Sequence, residues 1–302
     1  MLAAGLHFDV SEARYHADDL LTVPTLSSSV ARQVLRSPLH GWTAHPRLNP
    51  DCTARESAAF DFGRAVHRAV LGRGADYVAI PDELLSDDGA IRSKAAREWV
   101  TDARARGLTP LKRDVFNQVY TVAEAVAARL ADMGICLESA RSEVTALAEV
   151  DGVWCRARID NLPARGGVFY DLKTTTDAGA DAVIRAIEVY GYDLQVAHYQ
   201  AVLEAATGQR RRARLIFVEK EPPHEVAVVE LLDDPTADAD WMRAARAKVA
   251  EARRLWAECL RTGQWPGYPR AVQILGARGW DQARWLQRLA AQADQFNPGE
   301  TS

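Results

Sequence analysis

Hydrophobic positions keep two rhythms along this chain. Through Met133 they recur at three and four residues, the spacing of helices with one buried face, and from Glu143 they alternate, the spacing of strands. In the first part, VARQVLRSP follows Ser27-Ser28-Ser29, which predicts a serine-capped helix ending before Pro38. A polar loop through Pro46, Pro50 and Asp51 leads to SAAFDFGRAVHRAVLG, a second helix closed by Gly72 and Gly74. Residues 75–92 carry no period, whereas Lys94 to Arg106 and Arg113 to Met133 return to helical spacing.

The alternating part opens with EVTALAEV and VWCRARID on either side of Asp151-Gly152, a dipeptide suited to a type I′ turn, and so predicts a hairpin. With a two-residue turn, Glu143 falls opposite Asp160, and directly opposed side chains lie about 5 Å apart. Trp154, Arg156, Arg158 and Asp160 then share one face of the second strand, and Val153, Cys155, Ala157 and Ile159 the other. Gly166-Gly167 precedes a third strand, VFYDLK, with Phe169, Asp171 and Lys173 on one face. Asp177 to Tyr190 and Leu194 to Thr207 read as helices, RARLIFVEK and EVAVVELL as strands, and Ala237 to Arg261 as a long helix.

The tail, with Trp265, Tyr268, Trp280 and Trp285, predicts a loop and a last helix, with disorder from Pro298. There is no internal repeat and no low-complexity linker. The expected organisation is one domain over residues 1–296: a helical part at about 20–135, a sheet core at about 140–262 and an aromatic tail at 263–296, before a disordered 297–302.

Composition narrows the function. At 302 residues with 48% hydrophobic and 26% charged positions the chain is ordinary globular material. A formal charge of −4 excludes a broadly basic nucleic-acid coat and leaves room for a local basic channel. No apolar run approaches the roughly 20 residues of a membrane span, and MLAAGLHFDVSEARYH lacks the basic start and apolar core of a signal peptide, so a cytoplasmic protein without membrane partners is expected. Cys52, Cys136, Cys155 and Cys259 are scattered, without the close spacing of zinc or iron–sulphur ligands, and read as free thiols. Gly-x-Ser-x-Gly and Walker-type signatures are absent.

Charge inside strands needs a reason, because an ionised group removed from water costs several kcal/mol unless it is paired or holds a metal. Glu143, Asp160, Asp171 and Lys173 can reach one spot. Such hard oxygen ligands suit Mg²⁺ or Mn²⁺, with Lys173 to orient or deprotonate an attacking water. The competing account is two salt bridges, Asp160 with Arg158 and Asp171 with Lys173. Arg156 and Arg158 share the face of Asp160 and are expected to contact phosphate. Arg210, Arg211, Arg212 and Arg214 are expected as a solvated strand start, and Trp265 and Tyr268 as core packing.

Asp160, ten intervening residues and Asp171-Leu172-Lys173 resemble the PD-(D/E)xK nuclease core. Gly63 and His67 in FDFGRAVH resemble the G-x-x-x-H element of RecB-like and exonuclease VIII nucleases, and Gln195 and Tyr199 in YGYDLQVAHYQ their Q-x-x-x-Y element. SPLHGW, DLKTT and YDLQVAHY together look most like the exonuclease VIII (RecE-type) nuclease domain of phages and prophages, over about residues 20–270.

The resemblance implies an α/β fold with a central mixed sheet flanked by helices and a helical N-terminal segment supplying His67. It implies a catalytic set of Lys173, Asp160, Asp171, Gln195 and Tyr199, and a metal set of His67, Glu143, Asp160 and Asp171. Gly63 would let its helix approach the sheet closely. The implied activity is a Mg²⁺-dependent exodeoxyribonuclease, with Mn²⁺ able to substitute. It would digest one strand of linear duplex DNA from its end, 5′→3′, to expose single strands for an annealing recombinase. A ring-shaped homo-oligomer is implied as well. The alternatives are a RecB-like or CRISPR-adaptation-type nuclease without an iron–sulphur cluster, and a non-catalytic DNA-end-binding protein of the same fold.

Overall fold

The Asp151-Gly152 turn sets the register of the sheet. In this computed structural model, which describes residues 1–52, 58–234, 236–237, 240–276 and 286–287, both turn residues take positive φ, 51° and 75°, as a type I′ turn requires. They join β4 (Ser142–Val150) to β5 (Val153–Asn161), paired antiparallel from Val150↔Val153 to Ser142↔Asn161. β6 (Val168–Thr175), β7 (Arg212–Glu219) and β8 (Val226–Val229) continue the sheet on one side, and β1 (Gly5–His7) closes the other. The order is β1-β4-β5-β6-β7-β8, with only β6 and β7 parallel. This is the expected mixed sheet. β5 and β6 pair at a single position, Asn161↔Tyr170, so a split opens between the two middle strands.

Helices cover both faces, as the strand alternation demands. α2 (Ser28–Arg36), α7 (Ala180–Tyr190), α8 (Tyr192–Thr207) and α9 (Trp241–Thr262) pack on Cys155, Ala157, Ile159, Phe169 and Phe217. α4 (Ala58–Leu71) and α6 (Arg113–Asp132) pack on Tyr170, Leu172, Ile216 and Val218. A smaller cluster of Val10, Tyr15, Leu20 and Leu21 around α1 (Glu12–His16) covers Leu147. α5 (Lys94–Ala105) lies beside a separate parallel pair, β2 (Tyr77–Ala79) and β3 (Thr109–Leu111). Ser27 caps α2, and Ser37 both ends α2 and caps α3 (Pro38–Thr43), whose first position is Pro38. Six residues are too few to show a period, so α3 reads as loop in the sequence. No helix among the described residues is long and apolar enough to cross a membrane.

The chain divides into two compact units, Met1–Pro266 and Gly267–Ser302, where the sequence suggested one domain through residue 296. Trp265 ends the first unit packed edge-on against the buried Trp256, with ring centroids 5.4 Å apart. In the second unit the described residues include exposed Tyr268, Val272, Ile274 and Leu275. Trp280, Trp285 and the stretch from Pro298 lie outside the described residues. The arginine run at the start of β7 is engaged by acids and a carbonyl. Arg210 pairs with Asp233, Arg212 and Arg214 share Glu230, and Arg211 donates to the Pro163 carbonyl.

Candidate metal and catalytic site

α4 carries His67 to the split between β5 and β6. Its Nε2 lies 2.9 Å from the Leu172 carbonyl oxygen, which calls for an N–H there and leaves the Nδ1 lone pair toward Asp160 Oδ2 at 3.6 Å. Burial lowers the His67 pKa, so the neutral ring is favoured. Asp160 accepts the Leu172 backbone N–H at 2.7 Å. Burial, then repulsion from Asp171, pushes its carboxyl up to about 8.

Glu143 has a left-handed φ of 56° and drops out of the ladder between its paired neighbours Ser142 and Val144. The expected Glu143–Asp160 opposition is therefore met in space without a ladder pair. Burial and then Asp160 also raise the Glu143 carboxyl. One ligand atom from each of His67, Glu143 and Asp160 lies within 4.8 Å of the other two, the only such group among the described residues. Two carboxylates and an imidazole lone pair repel one another unless a proton or a metal ion sits among them. One nitrogen and two hard oxygens fit Mg²⁺ or Mn²⁺.

Asp171 faces the same split through a second network. Its Oδ2 is 2.5 Å from Lys173 Nζ. Gln195 on α8 closes the ring, donating to Asp171 Oδ1 and accepting from Lys173, both at 3.0 Å. Asp171 is thus outside the three-residue group and acts on it by raising the Asp160 carboxyl. Burial lowers the Lys173 pKa, but Asp171 and Asp160 outweigh it, and the net shift is upward, so the amine stays charged. Tyr199, one turn beyond Gln195, is buried beside Phe169, and burial holds its hydroxyl well above the usual range. The sequence reading missed Tyr192, whose ring centroid is 4.5 Å from Lys173 Nζ. The signal was available: Tyr192, Gln195 and Tyr199 follow helical spacing on one face.

The two arginines expected on DNA are occupied elsewhere. Arg156 is buried, with Nη1 2.7 Å from Asp18 Oδ1 and donating to the Thr25 carbonyl and hydroxyl at 2.6 and 2.7 Å. A phosphate cannot reach it without dismantling that network, so its role is corrected to support of β5. Arg158 Nε is 2.5 Å from Glu143 Oε2, and Nη1 donates to the Val10 carbonyl at 3.0 Å. Of the two salt bridges in the competing account, Asp171 with Lys173 forms, whereas Arg158 pairs with Glu143 and not with Asp160. Gly63 also departs from expectation. A Cβ there would meet Thr174 Oγ1 at 3.7 Å, an ordinary contact, so alanine fits and the approach of α4 does not need a missing side chain.

The chain aligns with solved structures. A crystal structure from Eubacterium rectale, described provisionally as an exonuclease, aligns over 89% of this chain and 95% of its own with a TM-score of 0.56 at 15% identity. A phage-related exonuclease from Haemophilus somnus 129PT aligns over 80% of this chain and 96% of its own, with a TM-score of 0.35 at 11% identity. No curated protein matches the sequence. Residues 27–276 match the model of a PDDEXK-like domain of unknown function (DUF3799), a span that takes in β4 to β8 and every residue of the site; the chain belongs to that family.

Proposed function

We propose that this protein is a divalent-metal-dependent exodeoxyribonuclease acting on the ends of linear duplex DNA. One observation carries the reading: the His67–Glu143–Asp160 donor group and the Asp171–Lys173–Gln195 ring face each other across the β5–β6 split. His67, Glu143 and Asp160, with Asp171 near, would hold a Mg²⁺ or Mn²⁺ ion, which would supply charge stabilisation for the phosphate under attack. Lys173, kept protonated by Asp171 and Asp160, serves as a fixed positive charge rather than as a base. Gln195 holds Lys173 and Asp171 in register, and Tyr199 backs Gln195 as a neutral phenol. Arg158 neutralises Glu143 from behind.

The finer features rest on the resemblance to exonuclease VIII: digestion of one strand 5′→3′, delivery of single strands to an annealing recombinase, a ring-shaped homo-oligomer and a cytoplasmic setting. The deciding experiment offers linear and circular forms of one duplex with Mg²⁺, with Mn²⁺ and with chelator. Loss of the linear form alone, only with metal, is expected. Cutting of the circle points to an endonuclease, and binding without cutting to a non-catalytic end-binding protein.

A further inference from the structure

The junction between α7 and α8 presents an aromatic step beside Lys173. Tyr192 covers the Lys173 amine and is anchored on Phe217, with ring centroids 5.9 Å apart. Tyr190 comes next, 5.7 Å from Tyr192 with 32° between the ring planes. Tyr192 packs against the main core; Tyr190 is 56% exposed and belongs to none of the three apolar clusters of described residues. A single exposed aromatic is unremarkable by itself. What sets this one apart is that its backbone is held rigid.

Gly191, at φ 70°, ends α7 in a left-handed cap and starts α8. Arg32 on α2 donates through Nη1 to the Tyr190 carbonyl at 2.9 Å and through Nη2 to the Val189 carbonyl at 3.0 Å. A Cβ at Gly191 would meet Arg32 Cδ at 3.2 Å, so the clamp is close-fitting. The backbone that carries the ring is therefore placed before any ligand arrives, with Tyr192 against the ring, which reduces the ordering cost of binding.

We propose that Tyr190, backed by Tyr192, is a stacking platform for a nucleobase of the strand whose phosphate meets Lys173. This rests on the nuclease reading and adds to it the residue that seats the base. Stacking suits an enzyme that must accept any sequence, since every base has a π-face. Bases of one strand rise about 3.4 Å each. The 4.5 Å and 5.7 Å steps from Lys173 to Tyr190 thus place the stacked base one to three nucleotides from the scissile phosphate.

The test measures kcat/KM on linear duplexes with an abasic site at each of those positions, for wild type, Tyr190→Phe and Tyr190→Ala. Wild type should lose about 5- to 100-fold at one position, the range expected for one stacked base. Tyr190→Phe should keep that sensitivity. Tyr190→Ala should be slowed by a similar factor on intact DNA and should no longer distinguish abasic from intact. Equal abasic sensitivity of wild type and Tyr190→Ala, or none in wild type, overturns the platform. If wild type cuts no DNA at all, the nuclease reading falls separately. The platform is then judged by fluorescence of an adenine analogue at the same positions with Ca²⁺. Quenching by wild type and Tyr190→Phe but not by Tyr190→Ala upholds it, and no binding or equal quenching overturns it.

Discussion

At the scale of single residues, the site trades stability for charge. Asp160→Ala and Asp160→Asn should both abolish cleavage, as should Asp171→Ala and Lys173→Ala, but the two Asp160 variants should differ in stability. Alanine leaves the Leu172 N–H without its acceptor, a loss of about 1–3 kcal/mol for a buried donor. Asparagine can keep that bond while removing the repulsion from Asp171 and Glu143. Denaturant titration without metal should therefore rank Asp160→Asn above Asp160→Ala by more than 1 kcal/mol, roughly the lower end of that loss. Equal values would mean the Leu172 bond carries no weight.

The titration behaviour follows the same charges. Asp160 is raised from its ordinary 3.8 to about 8, so the folded, metal-free protein binds its proton more tightly than the unfolded chain does. That contribution to stability is full below about pH 4 and is lost as pH rises through about 8. A divalent cation must displace this proton, so its stabilising effect should grow over the same window. His67 is shifted the other way, down from 6.5, and its contribution is lost as pH falls, so pH 7 to about 8.5 isolates the carboxyls. The gap between the melting temperatures with and without Mn²⁺ should widen from the lower to the upper end of that range. A constant gap would place the proton elsewhere.

At the scale of elements, two glycines separate packing from chemistry. A Cβ at Gly41 on α3 would collide with Val34 Cγ2 and lie 3.3 Å from Val34 backbone atoms. Gly41→Ala should cost about 1–3 kcal/mol, the usual penalty of overpacking, read by thermal denaturation. Gly63→Ala should be silent in fold and in cleavage. Gly63→Leu, which extends three carbons beyond the Cβ that meets Thr174 Oγ1, should shift α4 and slow cleavage as His67→Ala does, by about 10- to 1,000-fold, with Mn²⁺ partly restoring the latter. If Gly63→Ala alone were as harmful, α4 would have to sit closer to β6 than the 3.7 Å contact allows.

How much of this was legible in the sequence also sorts by element. The β4–β5 register was readable because Asp-Gly dictates its turn and each strand alternates cleanly. β1, β2 and β3, three residues each, were not, because no period fits in three positions. The residues around the split were readable as a set through their motifs. Their partners were not. Sequence spacing cannot say that Arg158 chooses Glu143 over Asp160, or that Arg156 turns to Asp18 across 138 positions. Those choices depend on where a distant segment packs.

At the scale of the whole molecule, a net charge of −4 and arginines largely tied to acids imply a small electrostatic share of DNA binding. Duplex binding with Ca²⁺, followed by anisotropy against salt, should show a log–log slope shallower than about −4, equivalent to few phosphate contacts. A steeper slope would call for a basic surface built by several subunits together.

The single hydrogen-bonded pair joining β5 to β6 has one more consequence. Where the ladder lapses, the backbone of Leu172 is satisfied by site side chains, its N–H by Asp160 and its C=O by His67. The Leu172 amide N–H therefore reports on the site from within the sheet. Its exchange with solvent deuterium should slow when a cation fixes Asp160 and quicken in Asp160→Ala, while amides of the fully laddered β6–β7 pair stay unchanged. A strand in the middle of the sheet would then record, in its isotope exchange, whether the site beside it is occupied.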